Sequence, residues 1–292
     1  MTSKVIFYFL PEPTIHGGIK VGFQFSELLR QLGIDVVMAT PDGRAPQWFP
    51  TQIPIGSRES ILPNLTPRDR VIFSLPYDYD ELKQSGAKLI FHCQGTDEAI
   101  VPILKDENVE VLSCWTQAHE FISGFSRTSE NVGISISRSF FYSGEPKQSG
   151  SYAFMPRRGF LPNKEKLSSF HGRSIDEANE KRVSQILKTS SGFLALSENE
   201  WFGLPALEAM AAGCLVVSPK TIGGGEYLTH EENSYTEKVE ELSERMSHLL
   251  GNEQRYEHIR QSALETSYKY HPRVQFQKLQ KIIDSGGLKF LR

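Results

Sequence analysis

Hydrophobic and polar positions along this chain fall into two recurring patterns. Short, mostly apolar runs of strand length occur at Val5–Leu10, Ile34–Ala39, Val71–Leu75, Lys88–His92, Glu110–Ser113, Tyr152–Met155, Leu167–His171, Phe193–Ser197 and Cys214–Ser218. Between them lie stretches with apolar residues three and four apart. Ile19–Leu32 carries Val21, Phe25, Leu28, Leu29 and Leu32 on one stripe, and Ile175–Lys188 carries Ile175, Ala178, Val183, Ile186 and Leu187. Further helices are predicted over Gln117–Phe125 and Leu204–Ala212, from Glu226 onward, around Val239, Leu242, Met246 and Leu249, and over Ser262–Lys269 and Val274–Asp284. Buried runs alternating with amphipathic helices predict an α/β fold with parallel sheets. In such folds ligands sit beyond the C-terminal ends of strands.

Turn-forming residues divide the chain. Gly43 to about Pro67 is rich in Pro, Ser and polar residues and reads as loop with short structure only. Ile134–Ile136 closes a first domain. Ser137–Gly150, with Gly144, Pro146 and Gly150 among polar residues, reads as a linker. A length of 292 residues accommodates two domains, expected at 1–145 and 146–272.

The most informative stretch runs from Phe193 to Leu228. A strand leads into a loop holding Glu200, Gly203 and Pro205; a helix holding Glu208 follows; a second strand then enters the turn Thr221–Gly225. Pro205 suits a first helical turn and Gly213 a helix stop. Glu200 and Glu208 have seven residues between them. Carboxylates accept hydrogen bonds from the vicinal hydroxyls of a sugar or ribose. N–H groups at a helix start or after glycines favour an anion such as phosphate. A nucleotide sugar has both features, whereas the plainer reading makes the two glutamates solvent-facing acids at helix ends.

Glu200-Trp201-Phe202-Gly203-Leu204-Pro205 followed by Glu208-Ala209-Met210-Ala211-Ala212-Gly213 resembles the donor-binding region of retaining glycosyltransferases of the GT-B fold, the group 1 family related to glycogen synthase. Trp201 departs from the pattern, which usually has glycine there. The resemblance implies two Rossmann-like domains with an interdomain cleft and a last helix, about 273–292, packing back on the first domain. It implies that Glu208 holds the donor ribose and Glu200 the sugar hydroxyls. Arg158, or its neighbour Arg157, and Lys164 would meet the pyrophosphate, the plainer reading being an exposed basic turn. Gly224 and Gly225 would donate N–H groups, and Gly203, Leu204 and Glu226 would complete the donor set.

In the first half, Gly17-Gly18 opens a helix after the first strand without the G-x-G-x-x-G spacing of a dinucleotide fingerprint. By the resemblance this double glycine, with His16 and Gln94, belongs to the acceptor side of the cleft. His92, ending a strand, would face the anomeric carbon. A satisfied core histidine is the competing reading for His92, and a structural role is expected for His119. Asp78 and Asp80 form an Asp-x-Asp, read as acids at a helix N-terminus rather than metal ligands.

The function implied is transfer of a hexose from a nucleoside diphosphate sugar to an acceptor hydroxyl with retention of configuration, in polysaccharide or glycoconjugate synthesis. The only small-molecule requirement is the donor itself, without a metal or other cofactor. Two alternatives share the scaffold: a non-catalytic nucleotide-sugar-binding subunit, and a nucleotide-sugar epimerase. A net charge of −3 without a concentrated basic face argues against nucleic acid as a partner. Cys93, Cys114 and Cys214 sit in or beside apolar runs and read as buried free thiols of a reducing compartment. No run approaches the ~20 apolar residues of a membrane span, and Val5–Leu10 is too short for a signal-peptide core. The expected location is the cytoplasm, with peripheral contact at the inner face of a membrane compatible with it.

Overall fold

The computed structural model describes residues 5–156, 161–198 and 200–291. The chain forms two units, Met1–Ser135 with Pro272–Arg292, and Ile136–His271.

The first unit is built on a seven-stranded sheet in the order β3-β2-β1-β4-β5-β6-β7, with every pairing parallel. Its strands are β1 (Ile6–Phe9), β2 (Val36–Thr40), β3 (Ile55–Ser57), β4 (Arg70–Phe73), β5 (Lys88–Cys93), β6 (Glu110–Ser113) and β7 (Glu130–Asn131). The helices are α1 (Gly17–Gln31), the short α2 (Arg58–Ile61), α3 (Tyr79–Gln84), α4 (Val101–Lys105) and α5 (Thr116–Ser123). Parallel strands covered on both faces bury nearly every side chain, which is why β1 and Val71–Phe73 of β4 read as unbroken apolar runs. Phe23, Phe25, Leu28 and Leu29 of α1 enter the same core as Ile6, Tyr8 and Ile72. The terminal helix α10 (Pro272–Asp284) joins that core through Leu279, and Phe290 follows it there. Gln275 Nε2 fastens α10 by donating to the carbonyls of Val132 and Gly133 at 3.2 and 2.7 Å.

The second unit carries a five-stranded parallel sheet, β12-β11-β10-β8-β9. Its strands are β8 (Gln148–Phe154), β9 (His171–Ser174), β10 (Ser190–Leu194), β11 (Leu215–Ser218) and β12 (Tyr235–Thr236). The helices are α6 (Glu180–Thr189), α7 (Leu204–Ala211), α8 (Leu242–Leu250) and α9 (Glu257–Tyr268). Leu194, Leu215 and Val217 from the central strands pack with Met246 and Leu249 of α8.

The structure departs from the sequence expectations where elements are short or lie at an edge. Ile55–Ser57 is a half-buried edge strand of three residues inside the stretch read as loop. The edge strand β9 is His171–Ser174, not Leu167–His171. Leu167 is buried in a preceding turn, whereas the edge strand itself is polar and pairs only with β8. α6 starts at Glu180 because Asn179 caps it, its side chain accepting from Arg182 N at 3.0 Å. Glu226 ends a single turn, Gly224–Glu226, and the next regular element is β12 instead of a helix. Ser137–Gly150, read as linker, belongs to the second unit, as does Ile136. This stretch docks on its helices: Tyr142 N donates to Ala211 O at 2.8 Å, and Ser137 and Ser139 both donate to Glu180. Lys147 closes two helix ends, donating to Leu187 O at 3.1 Å and Ala212 O at 2.6 Å. A cation at carbonyl-rich helix C-termini is electrostatically favourable.

All three cysteines are free and buried. Among the described residues, no helix is long and apolar enough to cross a membrane.

Candidate functional site

In the second unit the chain runs from β8 outward to β9 and then returns to the other side of β8 to form β10. Neighbouring strands whose connections diverge leave a crevice at their C-terminal ends. A pocket occupies that crevice. Met155, just past β8, forms one wall, and Leu196, Ser197 and Glu200, past β10, form another; Thr221 and Tyr227 come from the segment after β11.

Local chemistry explains why the loop between β10 and α7 folds as it does. Gly203 has φ +81°, a left-handed conformation that glycine adopts without strain, and a Cβ there would lie 2.9 Å from the Tyr227 hydroxyl oxygen. That hydroxyl donates to Gly203 O at 2.6 Å. Tyr227 is 2 % exposed, and burial, reinforced by the nearby carboxylates of Glu200 and Glu208, pushes its pKa well up. It therefore stays a neutral donor. Phe202, Tyr227 and Tyr270 form a three-ring cluster with centroids 5.3 to 6.1 Å apart. The loop is also tied to the next turn, as Ile222 N donates to Glu200 O at 3.3 Å and Gly223 N to Trp201 O at 2.5 Å. α7 then starts with no side-chain cap at Gly203, so the positive end of its dipole faces this loop.

The residues expected from sequence are distributed unevenly around this pocket. Glu200 and Gly203 line it. Leu204 is the first residue of α7, and Glu208, one turn further on, is 6 % exposed. Gly224 and Glu226 lie in the turn that Gly223 N and Ile222 N join to the Glu200 loop, and Gly225 is exposed between them. Lys164 is exposed in a turn whose backbone is organised by Asn163, with Lys166 paired to Glu244. Arg157 and Arg158 lie outside the described residues. Met155, Ser197, Thr221 and Tyr227 were not singled out as site residues in the sequence. The available signal was topological, since each follows a strand that borders the crevice.

In the first unit, His16, Gly17, Gly18 and Gln94 come together beyond β1 and β5. His16 is the N-cap of α1, its Nδ1 accepting from Gly18 N at 3.2 Å. A Cβ on Gly18 would lie 2.7 Å from Gln94 Oε1, so glycine is what lets that amide approach the helix start. His92 is not part of this group. It is 0 % exposed, with Nδ1 2.7 Å from the Tyr8 hydroxyl, Nε2 2.9 Å from Cys114 Sγ, and the Phe25 ring 4.6 Å away. Both ring nitrogens are occupied and burial lowers its pKa to about 3. Of the two readings of His92, these surroundings are those of a satisfied core histidine rather than of an exposed group at a strand end. His119 likewise bonds Ser129 Oγ at 2.8 Å. Asp78 of the Asp-x-Asp is engaged by Arg58 at 2.5 Å, whose second nitrogen holds Glu81.

Comparison with known proteins places this arrangement. Residues 171–266 match the family model of glycosyl transferases group 1. No curated protein matches the chain in sequence. Solved structures match over nearly the whole chain at low identity. Anabaena HepE in complex with UDP and glucose has a TM-score of 0.72 at 11 % identity, covering 97 % of this chain and 100 % of that one. Sucrose-phosphate synthase from Thermosynechococcus elongatus has a TM-score of 0.70 at 11 % identity, with 97 % and 98 % covered. A glycosyltransferase from Rickettsia africae has a TM-score of 0.66 at 12 % identity, with 98 % and 99 % covered. The fold is GT-B, with two Rossmann-like parallel-sheet units. The matched group 1 segment contains β10, the Glu200 loop, α7 and the Thr221–Gly225 turn, and so encloses most of the pocket.

Proposed function

We propose that the protein is a retaining glycosyltransferase that moves a hexose from a nucleoside diphosphate sugar to a hydroxyl of a saccharide or glycoconjugate. The observation that carries this reading is the position of Glu200. It lines a crevice pocket between the uncapped start of α7 and a glycine-rich turn, inside the segment that matches the group 1 family. The complex of HepE with UDP and glucose supports a donor of the same class.

In this reading Glu200 accepts hydrogen bonds from the sugar hydroxyls and orients the anomeric carbon, and Glu208 holds the donor ribose. The backbone of Gly203, Leu204, Gly224 and Gly225 lies beside the diphosphate. Lys164 and the Arg157-Arg158 pair offset the charge that grows on the leaving diphosphate. Fixed cations and dipoles of this kind stabilise a developing anion without reorganising, so the reading requires no metal. His16, Gly17, Gly18 and Gln94 serve the acceptor side, and the work is done at the inner face of the cytoplasmic membrane or in the cytoplasm.

Incubation with nucleoside diphosphate sugars and a panel of saccharide acceptors tests the reading, with proton NMR of the new glycosidic bond. The expected product keeps the anomeric configuration of the donor; an inverted product overturns retention. The core position of His92 favours a second reading, a subunit that binds the donor without turning it over, because this candidate catalytic group is then enclosed in the core. Saturable donor binding with neither transfer nor hydrolysis would select it.

A further inference from the structure

Two hydroxyls in the pocket wall have no hydrogen-bond partner among the described residues. They are Ser197 Oγ and Thr221 Oγ1, both buried. Both residues line the pocket, and Ser197 is only 8 % exposed. The neighbouring buried serines behave differently. Ser190 donates to Ile186 O, Ser191 to Gln148 O and Ser218 to Pro219 O, at 2.7 to 3.0 Å. Native folds pair nearly all their buried polar groups, so each exception calls for an explanation, and at a pocket wall a bound ligand is one.

The placement of the Thr221 oxygen is specific. A Cβ on Gly224 would fall 2.2 Å from it, and one on Gly203 would fall 3.7 Å away. Thr221 Oγ1 therefore stands between the glycine that admits α7 and the glycine of the next turn, and only glycine at 224 leaves room for it. Ser197 lies on the other side of the Glu200 loop, three residues past β10. The two hydroxyls approach the pocket from the ends of adjacent strands, β10 and β11.

We propose that Ser197 and Thr221 bind the hexosyl diphosphate part of the donor, each through its side-chain hydroxyl. This rests on the donor-site reading above and adds two residues to it. A hydroxyl donates to a phosphate oxygen and both donates to and accepts from a sugar hydroxyl. Phosphate and sugar therefore supply the same chemistry, and the pair is suited to this oxygen-rich portion rather than to the base.

The inference makes a paired prediction that a structural hydroxyl would not satisfy. Removing an unsatisfied buried hydroxyl leaves no orphaned partner behind, so the ligand-free protein keeps its stability. Removing it from a bound complex forfeits a hydrogen bond. Ser197→Ala, Thr221→Val and the double variant are prepared in the full chain. Their ligand-free melting midpoints are expected to equal or exceed that of the wild type. Affinity for the sugar nucleotide that binds the wild type is expected to fall about three- to tenfold per variant, by calorimetry. Titration with the nucleoside diphosphate alone separates the sources. An equal loss there places the hydroxyl on a phosphate, and a loss confined to the sugar nucleotide places it on the sugar. Undiminished affinity in both single variants overturns the assignment, and so does a ligand-free midpoint several degrees lower, which makes the hydroxyls structural. A wild type that binds no nucleotide sugar overturns the donor-site reading itself, and this assignment with it.

Discussion

Glu200→Gln is expected to lower transfer by about a hundredfold or more while leaving the melting midpoint close to that of the wild type. The change keeps the size of the side chain and one acceptor oxygen, and removes the charge and the second acceptor. Glu200 sits in a loop rather than in the core, and the loop is held by groups the substitution does not touch: the backbone bonds to Ile222 and Gly223 and the Tyr227 hydroxyl on Gly203. Folding should therefore be spared. A carboxylate that gathers sugar hydroxyls contributes most when the sugar flattens and gains positive charge. Loss of one preorganised electrostatic group of this kind costs about 10²–10³ in turnover. The loss should fall on kcat more than on KM, because an interaction that strengthens in the transition state is the one that accelerates the reaction. Glu198→Gln, at an exposed position two residues earlier, is the control and should change little. Full activity in Glu200→Gln would remove Glu200 from the chemistry.

The second large effect concerns stability in acid. His92 is held neutral in the core, its pKa lowered by burial from 6.5 to about 3. Above the ordinary value it is neutral in folded and unfolded chains alike, and its neutral packing contributes in full. As pH falls below about 6.5 the unfolded chain takes up a proton that the folded chain refuses until near pH 3, so stability is lost through that window as pH falls. The slope is about 1.4 kcal/mol per pH unit, or about 3 kcal/mol between pH 6.5 and 4. Other acid-labile groups contribute as well, so the informative quantity is the difference between the wild type and His92→Gln. An amide keeps a donor and an acceptor beside Tyr8 and Cys114 but does not titrate. Urea unfolding in a Trp201→Phe background, followed by the fluorescence of Trp48 and Trp115, reports on this unit. The stability of the wild type relative to the variant should decline by about that amount on acidification. Parallel pH profiles would mean that His92 is protonated equally in both states.

The legible parts of this chain are those where one physical rule dominates. Ile6–Phe9 and Leu215–Ser218 are interior strands with almost every side chain buried, so their apolar composition reveals them. α7 was bounded by Pro205 at its start and Gly213 after its end, and the structure gives Leu204–Ala211. Edge elements were hidden because partial pairing imposes no strong pattern: β3, β7, β9 and β12 are two to four residues long and largely polar. The Glu200–Glu208 spacing brought the pocket region into view, yet the groups that shape it were invisible to spacing. Tyr227 supports Gly203 across 24 positions, and His92 is enclosed by Tyr8 and Cys114 from 84 and 22 positions away. Contacts of that range depend on strand order, which no local pattern encodes.

Calorimetric titration of nucleoside diphosphates and their sugars into the full chain, with Glu208→Ala alongside, tests the central claim most directly. The account predicts saturable binding at one site for one nucleotide family, with affinity falling at least about tenfold in Glu208→Ala as the ribose loses a charged acceptor. No heat from any of them at millimolar concentration, or equal affinity in the variant, would contradict a donor site built on the Glu200–Glu208 segment.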